Sequence, residues 1–112
     1  MPIQFGLKES TLRKIQEVFF QHPQIDKAIL YGSRAKGNYQ NGSDIDLVLV
    51  GGEDLDLEVL LRVMREIDDL LLPYQVDLAI LQWIDDPDVL EHIRRVGIIF
   101  YDRQAIGCLK DR

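Results

Sequence analysis

The chain has 112 residues and a formal net charge of −6 at pH 7, and apolar residues make up 46% of it. This length predicts one domain with its own core, and the acidic balance argues against direct binding of long nucleic acid through phosphate attraction. No apolar run approaches the roughly 18 residues of a membrane span, and the first ten residues do not resemble a signal peptide. The single cysteine, Cys108, leaves no partner for an internal disulfide and indicates a cytoplasmic protein.

An amphipathic pattern predicts the first helix over residues 8–21, and the pair His22-Pro23 ends it. His22, and later His92, are isolated on helical segments and are expected at the surface. The apolar positions at helical spacing are Leu12, Ile15, Val18 and Phe19.

Two strands separated by a polar loop are predicted next. The first covers residues 27–31, the loop covers residues 33–43 and has room for one helical turn, and the second strand covers residues 44–50. Because apolar residues occupy both faces of the second strand, we expect it in the interior of a sheet.

A long helix is predicted over residues 54–71, followed by a third strand over residues 75–81. We expect the apolar residues of the helix to form one buried stripe. They are Leu57, Leu60, Leu61, Met64, Ile67 and Leu71.

Residues typical of helix ends mark the last two elements. Asp86 suits a helix cap, Pro87 the first helical position and Gly97 the end of the helix, and residues 98–101 are typical of a fourth strand. The order helix, strand, strand, helix, strand, helix, strand predicts an α/β (α+β) domain with helices packed on a small mixed β-sheet.

Three aspartates stand where strands are expected. Alternate residues of a strand share a face, so Asp44 and Asp46 point the same way. Asp77 lies deep in the apolar third strand, where an unpaired carboxylate would cost several kcal/mol. If the second and third strands are neighbours, the three carboxylates converge on a site suited to Mg²⁺ or Mn²⁺. The alternatives are that Asp44 is solvated and that Asp77 pairs with an arginine or lysine.

A glycine-serine pair, Gly32-Ser33, directly follows the first strand. Glycine lets the backbone approach a ligand, and the following amides and the serine hydroxyl can donate to phosphate oxygens. Arg34 and Lys36 add positive charge. An ordinary tight turn with solvated charges is the alternative, but beside a carboxylate cluster the turn predicts half of a nucleoside triphosphate site.

The stretch YGSRAKGNYQNGSDIDLVLV at residues 31–50 resembles the nucleotidyltransferase pattern of the DNA polymerase β-like superfamily, in particular the minimal nucleotidyltransferases (MNT). Ten residues separate the glycine-serine pair from the aspartate doublet, and VDLAIL at residues 76–81 is similar to the third acidic strand of that family. The resemblance spans about residues 10–102. It implies the nucleotidyltransferase fold in a single domain, 1–112, with its core over about 8–102.

The resemblance implies that an acceptor hydroxyl attacks the α-phosphate of a nucleoside triphosphate and that pyrophosphate leaves. Asp44 and Asp46 would bind both of two Mg²⁺ ions, with Mn²⁺ as the alternative metal. Asp77 would hold the ion that activates the acceptor hydroxyl, or take its proton. The residues implied in nucleotide binding are Gly32, Ser33, Arg34 and Lys36.

Larger relatives carry an acceptor-binding domain, so in this chain we expect another subunit to supply the acceptor site. The resemblance implies a HEPN-family helical partner and a toxin–antitoxin pair in which AMP passes from ATP to a tyrosine of the partner. Three alternatives stay open: an antitoxin that neutralises a HEPN partner by binding alone, a transferase to a small hydroxylated molecule, and purely structural carboxylates. The nucleotide base, the number of nucleotides transferred and the formation of a homo-oligomer also stay open.

Overall fold

Helices and strands alternate along the chain much as predicted, with a short hairpin added at its start. The structure is a computed structural model that describes residues 3–40 and 42–105, so Cys108 lies outside the described residues. The elements are β1 (Ile3–Gln4), β2 (Leu7–Lys8), α1 (Glu9–Phe20), β3 (Ile25–Tyr31), α2 (Ser33–Lys36), β4 (Ile45–Gly51), α3 (Leu57–Asp68), β5 (Val76–Ile80), a 3₁₀ turn (Leu81–Trp83), α4 (Pro87–Val96) and β6 (Ile98–Asp102).

Four of the strands form one mixed sheet in the order β5-β4-β3-β6. β3 pairs antiparallel with both β4 and β6, whereas β4 pairs parallel with β5. The interior position expected for the second predicted strand, β4, is therefore confirmed. Asp44 lies one residue before β4, and β3 begins two residues earlier than predicted.

One face of the sheet forms the main core with α1 and α3. Ala28 and Leu30 of β3 pair with Leu49 and Leu47 of β4, and all four side chains are fully buried in one apolar cluster. Because side chains alternate along a strand, Ile29 and Tyr31 lie on the opposite face. α4 lies against that face.

The buried stripe of α3 differs from the predicted one. Leu60 and Ile67 are buried as expected, but Val59 and Val63 complete the buried face. The side chain of Asp56 accepts a hydrogen bond from the Val59 amide at 3.0 Å, which caps the helix and makes it begin at residue 57. The remaining members of the predicted stripe are exposed, and they are Leu57, Leu61, Met64 and Leu71.

Leu71 is 87% exposed because α3 ends at Asp68 and the backbone then turns, with Leu71 at φ +55°. The prediction of a helix to residue 71 was wrong for this reason. A second correction concerns His22, which is buried and bonded through Nε2 to Glu66 at 2.8 Å. It links the end of α1 to α3 instead of facing solvent.

The hairpin of β1 and β2 was not predicted. Its two turn residues, Phe5 and Gly6, have φ values of +58° and +74°, the left-handed pair typical of a type I′ turn. The sequence around it is too short to show the alternation that identifies a strand. None of the described helices combines the length and the apolar character that crossing a membrane requires.

The predicted signals at α4 are confirmed. The Asp86 side chain accepts a hydrogen bond from the Asp88 amide at 2.9 Å, Pro87 is the first helical residue and Gly97 follows the last. A side chain at Gly97 would collide with the carbonyl oxygen of Ile93. The absence of a side chain there lets the chain turn directly into β6.

Candidate active site

Two aspartates stand side by side on neighbouring strands. Asp46 of β4 and Asp77 of β5 are direct partners in the parallel register, so both side chains leave the same face of the sheet. Asp44 lies two residues before Asp46, and its negative charge acts on the Asp46 carboxyl. The structure thus brings the three sequence-predicted carboxylates to one end of the β4–β5 pair.

Acidic side chains crowd around Asp46. Its pKa is raised above the ordinary value, chiefly because the carboxyl is half-buried. The charge of Asp77, a hydrogen bond between the two carboxyls and the charge of Asp44 raise the pKa further. Carboxylates that crowd around Asp46 in this way are oxygen ligands suited to a hard divalent cation, which would relieve the repulsion.

Over residues 3–40 and 42–105, no three aspartate, glutamate, histidine or cysteine side chains are arranged to hold a metal ion as they stand. Asp44 and Asp77 are exposed, so their carboxylates have room to turn towards an ion beside Asp46. The three carboxylates therefore supply the type of oxygen donor that a divalent cation prefers.

The exposure of Asp77 corrects the expectation that it lies deep in an apolar strand. β5 is the edge strand of the sheet, and Asp77 projects from the face opposite the main core. The burial penalty expected for Asp77 falls instead on Asp46 of the interior strand. The alternative of a salt bridge from Asp77 to an arginine or lysine finds no such ion pair among the described residues.

Gly32 brings the backbone of the glycine-serine turn against Asp46. Its φ of +78° lies in the left-handed region that favours glycine. A Cβ atom at this position would collide with Oδ2 of Asp46. Ser33 follows as the first residue of α2 and is half-buried, and its carbonyl oxygen accepts the Gly37 amide at 2.9 Å. The turn and the carboxylates thus form one continuous site.

Arg34 is not placed as a solvated charge of the loop. Its side chain is 3% exposed, and its Nε and Nη2 atoms both donate to the carbonyl oxygen of Ser43, at 3.1 and 2.8 Å. Nη1 donates to the carbonyl oxygen of Phe5 at 2.7 Å. The guanidinium carbon also lies 5.1 Å from the ring centroid of Tyr39 and 4.9 Å from that of Tyr74. A phosphate contact would require several of these interactions to break.

Lys36, the other predicted cation, lies exposed at the end of α2, where its ammonium group can move towards a bound anion. Its role in nucleotide binding stays a prediction.

Tyr31 and His92 border the site, although sequence reasoning gave neither a role. Tyr31 pairs in register with Asp46, and the pKa of its phenol is raised by burial first and then by the charges of Asp46 and Asp77. The His92 ring of α4 meets the Tyr31 ring edge-on, with 6.4 Å between centroids. The position of Tyr31 beside the glycine turn could have identified it, but no local signal places His92 there.

Comparisons with known proteins found relatives of this chain in sequence and in fold. A family described as polymerase beta, nucleotidyltransferase matches residues 13–106. A Haemophilus influenzae protein named "Probable protein adenylyltransferase MntA" is 28% identical over 102 residues, which cover 90% of this chain and 88% of that protein.

Two solved structures are similar in fold. One is a crystal structure of a toxin–antitoxin with AMP-PNP, at 21% identity, a TM-score of 0.64 and coverage of 92% of this chain and 80% of that chain. The other is a tri-AMPylated Shewanella oneidensis HEPN toxin in complex with MNT antitoxin, at 19% identity, a TM-score of 0.63 and coverage of 90% and 77%.

Proposed function

This chain belongs to the polymerase beta nucleotidyltransferase family, and we propose that it is a protein adenylyltransferase that moves AMP from ATP to a tyrosine hydroxyl of a HEPN-family partner. On this proposal it is the antitoxin of a toxin–antitoxin pair and works in the cytoplasm as a single domain, residues 1–112. The name of the Haemophilus influenzae relative supports the activity. The Shewanella oneidensis complex, in which an MNT antitoxin meets a tri-AMPylated HEPN toxin, supports the partner.

The observation that carries the proposal is the in-register pair of Asp46 and Asp77 with the Gly32 backbone packed against Asp46. Transfer at an α-phosphate requires cation-binding carboxylates beside a backbone that can approach the other phosphates. A site that served binding alone would have no need for two further carboxylates whose charges raise the pKa of Asp46.

Divalent metal is general in this family, and we assign Asp44, Asp46 and Asp77 as the residues that would hold it, as two Mg²⁺ ions or Mn²⁺ in their place. When bound, such ions stabilise the attacking and leaving oxygens of an in-line displacement. Lys36 would neutralise part of the phosphate charge from the end of α2.

In the proposed reaction the acceptor oxygen bonds to the α-phosphorus, the bond from that phosphorus to the bridging oxygen breaks, and pyrophosphate leaves. Asp77 is exposed on an edge strand, where a partner's hydroxyl can approach and lose its proton to the carboxylate or to solvent. The hydroxyl of Ser33 donates to a phosphate oxygen, and Gly32 keeps the space above Asp46 free.

The test mixes the protein with labelled ATP, Mg²⁺ and the helical protein encoded by the neighbouring gene. Label is expected on a partner tyrosine, located by mass spectrometry, with the intact chain and with the matched control Asp54→Asn, an exposed aspartate outside the site. No label is expected with Asp46→Asn. If intact protein and Asp46→Asn both inhibit the partner without labelling it, the antitoxin acts by binding alone and the catalytic proposal fails.

A further inference from the structure

Arg34 is the one cation among the described residues that is buried next to the proposed site. Two of its nitrogens converge on a single oxygen, the carbonyl of Ser43, while the third reaches the carbonyl of Phe5. Three charge-assisted hydrogen bonds to main-chain oxygens fix the backbone at those two points more firmly than neutral bonds would.

The contacts of Arg34 fall beside each functional segment of the site. Arg34 itself follows Ser33 in the glycine-serine turn. Ser43 directly precedes Asp44, and Tyr74, whose ring meets the guanidinium at 4.9 Å, lies three residues before Asp77. The Ile45 amide donates to the Gln75 carbonyl at 2.8 Å, which ties the same two segments together one residue further on.

The N-terminal hairpin closes around the same side chain. Phe5 has a left-handed backbone, which is uncommon for a residue with a bulky side chain, and its carbonyl points to Arg34. At Gly6 a Cβ atom would meet the Tyr39 ring and would approach Nη1 of Arg34 to 2.9 Å. The hairpin therefore helps to hold the guanidinium in place.

We propose that Arg34 is a positioning residue, which sets the separation between the glycine-serine turn at Ser33 and the carboxylates of Asp44 and Asp77. This inference rests on the proposed function, because it assumes that these groups act on one nucleotide. It differs from the role expected from sequence, in which Arg34 touches phosphate itself. Lysine cannot replace it, since one ammonium group lacks the planar fork that reaches Ser43 and Phe5 together.

The two roles differ in kinetics. A residue that contacts phosphate in the bound nucleotide adds ground-state affinity, so its loss raises KM for ATP. A residue that positions the reacting groups lowers kcat when it is lost, because a misplacement of about 1 Å can cost about a hundredfold in rate. A purely structural residue lowers the melting temperature and leaves kcat per folded molecule unchanged.

The experiment compares the intact chain with Arg34→Lys and Arg34→Ala, and with the matched control Arg13→Lys, an exposed arginine of α1. Folding is verified by circular dichroism at the assay temperature. We expect kcat of Arg34→Lys per folded molecule to fall by about ten- to a hundredfold with KM for ATP nearly unchanged, and Arg13→Lys to match the intact chain. Methylguanidinium should restore part of the kcat of Arg34→Ala, but none of that of Asp46→Asn.

Mn²⁺ binding in the presence of ATP, followed by electron paramagnetic resonance, gives a readout that needs no acceptor. We expect weaker Mn²⁺ binding by Arg34→Lys than by the intact chain or Arg13→Lys. If Arg34→Ala does not fold, Tyr74→Leu is the second variant, because it keeps the hydrogen bonds and removes one ring contact. It should lower kcat in the same direction by a smaller factor.

The inference is overturned if Arg34→Lys keeps the kcat and the Mn²⁺ affinity of the intact chain, or if only KM for ATP rises. The proposed function fails separately, when the intact chain labels no partner or when Asp46→Asn labels it equally well. If the intact chain labels no partner, the comparison of Mn²⁺ binding still decides whether Arg34 positions the carboxylates.

Discussion

At the residue scale, Gly32 and Asp46 depend on each other. The carboxylate of Asp46 occupies the volume that any side chain at position 32 would need, and the left-handed backbone at Gly32 turns the chain towards α2 at that point. Asp46 in turn sits between Tyr31 on one strand and Asp77 on the other. Small changes at either residue should therefore affect function more than they affect folding.

Gly32→Ala should abolish nucleotidyl transfer, because the added methyl group displaces the Asp46 carboxylate. The positive φ of Gly32, together with its ψ of −156°, lies in a region that essentially only glycine populates, and it adds a destabilisation of about 1–3 kcal/mol. Gly37→Ala is the control for a positive φ without the Asp46 contact, since Gly37 has a φ of +85° and no atom lies within 4 Å of its would-be Cβ. Urea unfolding should show the smaller stability loss in Gly37→Ala, whose ψ of 3° is ordinary left-handed helical backbone, and labelled-ATP transfer per folded molecule should persist in Gly37→Ala alone. Equal activity in the two would mean that the Asp46 contact is unimportant.

Asp46→Asn should stabilise the protein near neutral pH in the absence of metal while removing its activity. The raised pKa means that the folded state disfavours the charged carboxyl, so the contribution of Asp46 to stability is complete below its ordinary pKa of 3.8 and is lost as pH rises through the higher folded value. The stability advantage of the asparagine variant should accordingly be present at pH 7 and vanish in acid. Urea unfolding at both pH values measures it, and an advantage that persists unchanged in acid would contradict this explanation.

At the element scale, signals within a short stretch of sequence predicted the local structure well. The sequence did not predict how distant segments contact one another. The cap, proline and glycine around α4 placed that helix correctly because each acts on its nearest backbone. The exposure of Asp77 depends on β5 lying at the edge of the sheet, which no alternation within the strand reveals. The contacts of Arg34 with Phe5, Ser43 and Tyr74 are formed only by the fold, so no pattern in the sequence indicates them.

Neighbouring leucines of α3 offer a direct test of its buried face. Leu60 is 8% exposed and Leu61 is 52% exposed. Leu60→Ala should cost about 2–4 kcal/mol of stability through lost burial and a cavity, whereas Leu61→Ala should change it by less than about 0.5 kcal/mol. Denaturant unfolding of the two variants distinguishes this face from the stripe predicted from sequence, in which both leucines would be buried and similarly costly to remove.

At the scale of the whole molecule, the carboxylates lie on one face of the sheet and the main core lies on the other. α1 and α3 pack against Leu30 and Leu47, while Asp46 and Asp77 project from the opposite side beside α4. The sheet can therefore carry a cluster of like charges without placing it among the apolar residues that hold the fold together. A ligand should therefore change the stability of the fold only through its effect on the charged side chains of this face.

Mg²⁺ with ATP should raise the melting temperature of the intact chain, because ligands bind the folded state and relieve the repulsion around Asp46. At about a hundred times the dissociation constant the expected gain is about 2.7 kcal/mol, or roughly 10 °C for a domain of this size. Asp77→Ala should show a much smaller shift, and Asp54→Ala should behave as the intact chain does. Differential scanning fluorimetry measures all three, and an equal shift in Asp77→Ala would remove that residue from the site.

The parallel pairing of β4 with β5 also has a consequence for the order in which the protein becomes competent during synthesis. Strands β3 and β4 can pair as soon as they leave the ribosome, but β5 joins them only after the chain has crossed over through α3. A nascent chain that stops short of this crossover lacks Asp77 altogether. If Asp77 has its proposed role, newly made polypeptide should transfer no AMP until β5 has joined the edge of the sheet.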